Sequence, residues 1–186
     1  MSTDIFSDGT FKTQDSVEVP DLLDMLIVGG GPAGTAAAFR AKELGLDALV
    51  IDYDDLMKRI RNYAEDKLIL PHFGGGDKMK FPKGGDLINK LHFDPIDKDE
   101  MCAEWKGLYQ EYNVPAKVGV ELTGAERREN GRWEAITWNH KVKEEERYLT
   151  RHLVIAMGRG VPRRFDIPGN TDGIAYNLDD PDAYVG

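Results

Sequence analysis

Cysteine is nearly missing from this sequence, and its scarcity excludes several kinds of site. The 186 residues include one cysteine, Cys102, which rules out an intrachain disulfide and any C-x-x-C redox or zinc motif. Cys102 falls within residues 97–112, a segment with helical periodicity, where a packed thiol is more common than a nucleophile. The four histidines are scattered along the chain. The sequence therefore predicts no metal site and designates no catalytic residue.

Long hydrophobic segments and an excess of positive charge are also missing. The most apolar stretch, residues 25–39, is too short and too rich in glycine to be a membrane-spanning helix. No charged region followed by an apolar one opens the chain as in a secretory signal. The net charge of −9 disfavours nucleic acid as a partner, because phosphate contacts need clustered cations. We therefore expect a cytoplasmic protein with no membrane span and no bound nucleic acid.

Glycine, in contrast, is abundant and forms a motif. Residues 29–34 read Gly-Gly-Gly-Pro-Ala-Gly and directly follow the apolar residues 25–28. They fit the pattern G-x-G-x-x-G, whose three glycines are Gly29, Gly31 and Gly34. The first permits a tight turn, the second lets the backbone approach a pyrophosphate, and the third lets a helix pack closely on the sheet. The motif predicts a dinucleotide-binding loop.

The segments on both sides of the motif support this interpretation. Residues 33–44 are rich in helix formers, and Gly45 is placed to end the helix. A second apolar run, residues 48–51, ends at Asp52, which lies 18 residues after Gly34. That spacing is close to the roughly 20 residues expected for an acid that accepts hydrogen bonds from a ribose. The pattern predicts a complete β-α-β unit.

The rest of the chain adds a helix and further strands. Residues 97–112 predict an amphipathic helix with Asp97 or Asp99 as its cap. Residues 118–123 and 133–138 alternate in polarity around an Asn-Gly turn, and residues 153–156 are typical of a buried parallel strand. Residues 1–20 contain few apolar side chains and predict a flexible arm, which leaves residues 21–186 as one domain.

Two segments allow more than one interpretation. Lys58, Arg59 and Arg61 cluster in a short predicted helix, which is either a solvated face or a contact for cofactor phosphates. Residues 71–95 form a long loop that either is flexible or borders a cofactor. The sequence does not separate these alternatives.

The motifs together resemble those of a known superfamily. Besides the glycine motif, an apolar strand ends in Ala-Met-Gly at residues 156–158 and is followed by Pro162 and by Pro-Gly at residues 168–169. With the hairpin between them, these motifs resemble the flavin domain of the two-dinucleotide-binding-domain flavoproteins. Within that superfamily the sequence is most similar to thioredoxin-reductase-like FAD oxidoreductases. Met157 stands where the superfamily pattern has threonine.

The resemblance implies a fold and a cofactor. The fold is α/β, a Rossmann-like FAD-binding domain with a parallel central sheet and an antiparallel β-hairpin or meander insertion. The glycine loop would bind the FAD pyrophosphate, Asp52 the adenosine ribose, and the backbone at Leu122 the adenine. The implied cofactor-binding residues are Gly29, Gly30, Gly31, Pro32, Ala33, Gly34, Asp52, Tyr53, Leu122, Ala156 and Gly158.

The resemblance also implies an activity. It points to the flavin part of an NAD(P)H-dependent oxidoreductase that passes hydride from nicotinamide to flavin and electrons to an acceptor. The 186 residues contain one such glycine motif, so we expect the NAD(P)H domain outside this sequence and the chain alone to be catalytically incomplete. No cysteine pair follows the β-α-β unit, which excludes the glutathione-reductase type. A non-catalytic dinucleotide-binding module remains the alternative, and a homodimer is left open.

Overall fold

A computed structural model describes residues 19–71, 85–159 and 168–170. The predicted arm therefore lies almost entirely outside the described residues, as do Pro162 and most of the glycine-rich part of the loop at residues 71–95. The elements are β1 (Leu23–Val28), α1 (Pro32–Glu43), β2 (Ala48–Asp52), α2 (Lys58–Arg61), β3 (Leu68–Ile69), a 3₁₀ turn (Ile88–Leu91), β4 (Ile96–Asp97), α3 (Lys98–Glu111), β5 (Ala116–Val118), β6 (Val120–Arg127), β7 (Trp133–Asn139) and β8 (Glu144–Ile155).

One sheet combines parallel and antiparallel strands. Its order is β5-β2-β1-β8-β7-β6, with parallel pairing from β5 to β8 and antiparallel pairing from β8 to β6. Strand β8 belongs to both parts, because Thr150 lies opposite Leu23 of β1 on one side and Trp133 of β7 on the other. The parallel sheet with an antiparallel meander agrees with the predicted fold class.

Alternate residues of the parallel strands face two different cores. Ile27 and Val50 pack with α1 and α3, where Phe39 and Tyr109 meet edge to face with their ring centroids 5.3 Å apart. Leu26 faces the opposite side and packs with residues of the meander. The parallel sheet thus lies between a helical layer and the meander, which is why its strands are apolar on both faces.

The helix boundaries follow the capping residues. Helix α1 begins at Pro32 and ends before Gly45, whose φ of +70° is the left-handed conformation that favours glycine. Asp97, rather than Asp99, caps α3, because its carboxylate accepts hydrogen bonds from the amides of Asp99 and Glu100. Cys102 is buried in α3, as expected of a packed thiol.

Two strand predictions need correction. The segment predicted as one strand at residues 118–123 belongs to two strands. Gly119, with φ of +78°, bends the chain between the end of β5 and the start of β6. The predicted buried run at residues 153–156 is the end of the longer strand β8, and its Ile155 is 54% exposed. Its neighbours Val154 and Ala156 pack against the helical core, so this end of the strand is buried on one face only. Among the described residues, no helix is long and apolar enough to cross a membrane.

Candidate dinucleotide-binding site

The loop between β1 and α1 is held in place by close backbone packing. Gly29 has φ of +107°, and its amide donates to the carbonyl of Ile51 at 2.8 Å. A Cβ on Gly29 would lie 2.5 Å from the carbonyl oxygen of Ala156, and a Cβ on Gly34 would collide with the carbonyl of Gly29. The first and third glycines of the motif are therefore required by neighbouring backbone.

Gly31 is different, because its surroundings are open. A Cβ built there meets no atom within 4 Å. Gly31 is also the N-cap of α1, where no side chain makes a capping hydrogen bond and no acidic residue occupies the first turn. The first amides of α1 are thus free of side-chain acceptors and, with the helix dipole, favour an anion. The exposed Pro32 and Ala33 complete this helix start.

Asp52 connects the end of β2 to the glycine loop. Its Oδ2 accepts from the amide of Gly30 at 2.6 Å, and its Oδ1 accepts from the amide of Asp54 at 2.9 Å. Burial raises the pKa of the Asp52 carboxyl, and these two hydrogen bonds partly offset the effect. Since a carboxylate oxygen accepts two hydrogen bonds, both oxygens retain a lone pair for a ligand hydroxyl.

Gly30 itself is needed for packing, which the motif did not indicate. A Cβ on Gly30 would collide with the side chain of Leu56, and the Gly30 carbonyl accepts from the amide of Met57 at 3.1 Å. The segment after β2 therefore lies directly against the loop.

A buried ion pair fixes that segment to α3. Lys106 Nζ lies 2.7 Å from Asp55 Oδ2, and the two side chains are 3% and 2% exposed. Arg61 Nη1 approaches the same oxygen at 3.0 Å, while Asp55 Oδ1 accepts from the amide of Leu56 at 2.8 Å. Sequence reasoning missed this group, because its partners are 51 residues apart and no local pattern relates them.

The predicted adenine side brings β2 together with the meander. Tyr53 is 62% exposed, and its ring meets that of His140 edge to face at 5.1 Å. His140 Nε2 lies 2.9 Å from Glu121 Oε2, next to Leu122 in β6, where a bulge shifts the pairing register. The structure thus connects Tyr53 and Leu122 through two side chains that sequence reasoning did not select.

Ala156 and Gly158 lie at the same edge of the sheet as the glycine loop. The Ala156 amide donates to the carbonyl of Val28 at 2.7 Å, and its own carbonyl faces Gly29. Gly158 has φ of +72°, and a Cβ there would lie 3.8 Å from Arg59 Nη1. Two parallel strands therefore end side by side here, where open α/β sheets bind their ligands. The described residues contain no group of three or more side chains arranged to hold a metal ion.

Comparison with known proteins identifies relatives of this chain. A family model described as pyridine nucleotide-disulphide oxidoreductase matches residues 23–184. A digeranylgeranylglycerophospholipid reductase from Sulfolobus acidocaldarius is 29% identical over 87% of this chain and 39% of its own length. A ferredoxin–NADP reductase from Ignicoccus hospitalis is 26% identical over 88% of this chain and 46% of its own length.

A solved structure has the same fold. The bacillithiol disulfide reductase Bdr from Bacillus cereus superposes with a TM-score of 0.65 at 20% identity, over 82% of this chain and 45% of that one. The chain spans less than half the length of each of these relatives. The family match confirms the predicted resemblance to FAD- and NAD(P)-dependent flavoproteins, and FAD is the cofactor of that family.

Proposed function

The chain belongs to the pyridine nucleotide-disulphide oxidoreductase family, and on that premise we propose that it is the FAD-binding portion of an NAD(P)H-dependent oxidoreductase. When bound, FAD would take hydride from the nicotinamide and pass electrons to an acceptor. The observation that carries the proposal is the open space at Gly31, beside the uncapped start of α1 and the carboxylate of Asp52. A diphosphate and the ribose next to it need these groups at adjacent positions.

Each predicted residue then has a part in binding. The amides of Gly31 and Ala33 would donate to the diphosphate, Pro32, which has no N–H, would start the helix, and Gly29, Gly30 and Gly34 would hold the loop in shape. Asp52 would accept from the ribose hydroxyls with its remaining lone pairs. Tyr53 and the backbone at Leu122 would contact the adenine, and Ala156 and Gly158 would border the flavin half of the ligand.

A titration of the purified chain with FAD tests this proposal. We expect saturable binding that quenches flavin fluorescence, a yellow protein after removal of free ligand, and competition by ADP. NAD is expected to compete weakly and to leave the protein colourless. A chain that takes up no FAD, but is protected against thermal unfolding by NAD, would instead be a nicotinamide-dinucleotide module.

A further inference from the structure

Helix α2 presents three cations on one turn, and two of them are paired with carboxylates. Lys58 Nζ lies 3.4 Å from Asp54 Oδ1, and Arg61 Nη1 lies 3.0 Å from Asp55 Oδ2. Arg59 is exposed and forms no ion pair within the described ranges. On this turn, Arg59 is therefore the one cation whose guanidinium is not engaged by a neighbouring carboxylate among the described residues.

The position of Arg59 is fixed relative to the glycine loop. Met57, just before α2, is buried with φ of +59°, and its amide donates to the carbonyl of Gly30 at 3.1 Å. From the following turn, Arg59 Nη1 reaches to 3.8 Å from the Cβ position of Gly158. Arg59 therefore stands where the segment after β2 meets the end of β8, at the edge that includes the open side of Gly31.

We propose that Arg59 is an additional anion-binding residue of this site, whose guanidinium donates hydrogen bonds to the diphosphate of the bound dinucleotide. The inference rests on the proposed function and adds a side chain to the diphosphate part of the site, which is otherwise built from backbone amides. A guanidinium is always charged and binds phosphate oxygens through two parallel hydrogen bonds. It also offsets the repulsion between a diphosphate and the carboxylate of Asp52, which lies against the loop.

The test compares Arg59→Gln with Lys58→Gln, which removes the same charge from the same turn. We expect Arg59→Gln to weaken FAD and ADP binding equally, by about tenfold, the effect of one charge-assisted contact. Lys58→Gln should change both affinities by less than about twofold, because exposed ion pairs contribute little. Added salt should weaken binding more in the wild type than in Arg59→Gln, and Arg59→Lys should recover part of the affinity.

The outcomes separate this inference from the proposed function. Wild-type FAD binding that Arg59→Gln leaves unchanged overturns the assignment of Arg59 and makes it a solvated side chain. A loss of FAD affinity without a loss of ADP affinity also overturns it, because the contact is then with the flavin half. A wild-type chain that binds neither FAD nor ADP overturns the proposed function itself. Thermal unfolding at the wild-type temperature shows that each variant is folded.

Discussion

At the residue scale, three of the four loop glycines each meet a different neighbour. The loop is crowded by the Ala156 carbonyl at Gly29, by the Leu56 side chain at Gly30 and by its own backbone at Gly34, whereas Gly31 alone opens onto space that no described atom fills. Packing therefore requires three of these glycines, and we propose that ligand binding requires the fourth. The packing role and the binding role can be separated experimentally.

Gly31→Ala and Gly34→Ala form a matched pair for that purpose. Gly31 has φ of −76°, so alanine fits without strain, and we expect a change of about 1 kcal/mol or less in the free energy of unfolding. The new methyl group should still weaken FAD binding, because it occupies the side from which the diphosphate approaches. Gly34→Ala should cost about 1–3 kcal/mol through overpacking. Urea unfolding and FAD titration measure both effects, and equal FAD affinity of Gly31→Ala and wild type would contradict the assigned role.

Asp52 provides a pH-dependent test at the same scale. Burial raises its pKa above the ordinary 3.8, so the folded chain holds this proton more tightly than the unfolded chain. The contribution of Asp52 to the free energy of unfolding must then fall as the pH rises from 3.8 through the raised value. Urea unfolding of wild type and Asp52→Asn from about pH 4 to pH 7 measures it. We expect the stability of the wild type relative to the variant to decrease with pH, and an increase would contradict the raised pKa.

At the scale of elements, the site depends on how α3 holds the segment after β2. The Asp55–Lys106 pair joins them in the core, and Met57 continues the connection to Gly30. The glycine loop is thus supported by a helix that is distant in sequence and contributes no residue to the predicted site.

Lys106→Met tests this support, with Lys98→Met on the same helix as the control. Removing Lys106 takes a cation away from the buried Asp55, which still lies beside Arg61, and we expect a loss of about 3 kcal/mol. Lys98 is also buried, but its partner Asp99 is 57% exposed, so that variant should lose about 1 kcal/mol or less. Equal losses, measured by urea unfolding, would show that burial of the lysine stem matters rather than the ion pair.

At the scale of the whole molecule, local signals predicted the β-α-β unit and the end of α3 within a residue or two. Pro32, Gly45 and Asp97 mark helix ends through their own backbone and side-chain chemistry, which a sequence displays directly. The bend at Gly119 was missed, because alternation in polarity does not show where one strand ends in the parallel part of the sheet and the next begins in the meander. The grouping of Asp55 with Lys106 was missed because it depends on packing across the fold.

The same limit applies to the site. The glycine loop and Asp52 are local to one β-α-β unit, so the sequence contains both their identity and their spacing. His140 and Glu121 join Tyr53 only because the meander folds beside the end of β2. In the sequence, Lys58, Arg59 and Arg61 are equivalent cations. The structure shows that Lys58 and Arg61 have carboxylate partners.

A structure of the chain with bound FAD would show directly whether the diphosphate binds at the glycine loop. We expect diphosphate oxygens within hydrogen-bond distance of the Gly31 amide and the first turn of α1, with ribose hydroxyls at Asp52. FAD bound at another edge of the sheet, or a diphosphate that makes no contact with the loop, would contradict this expectation.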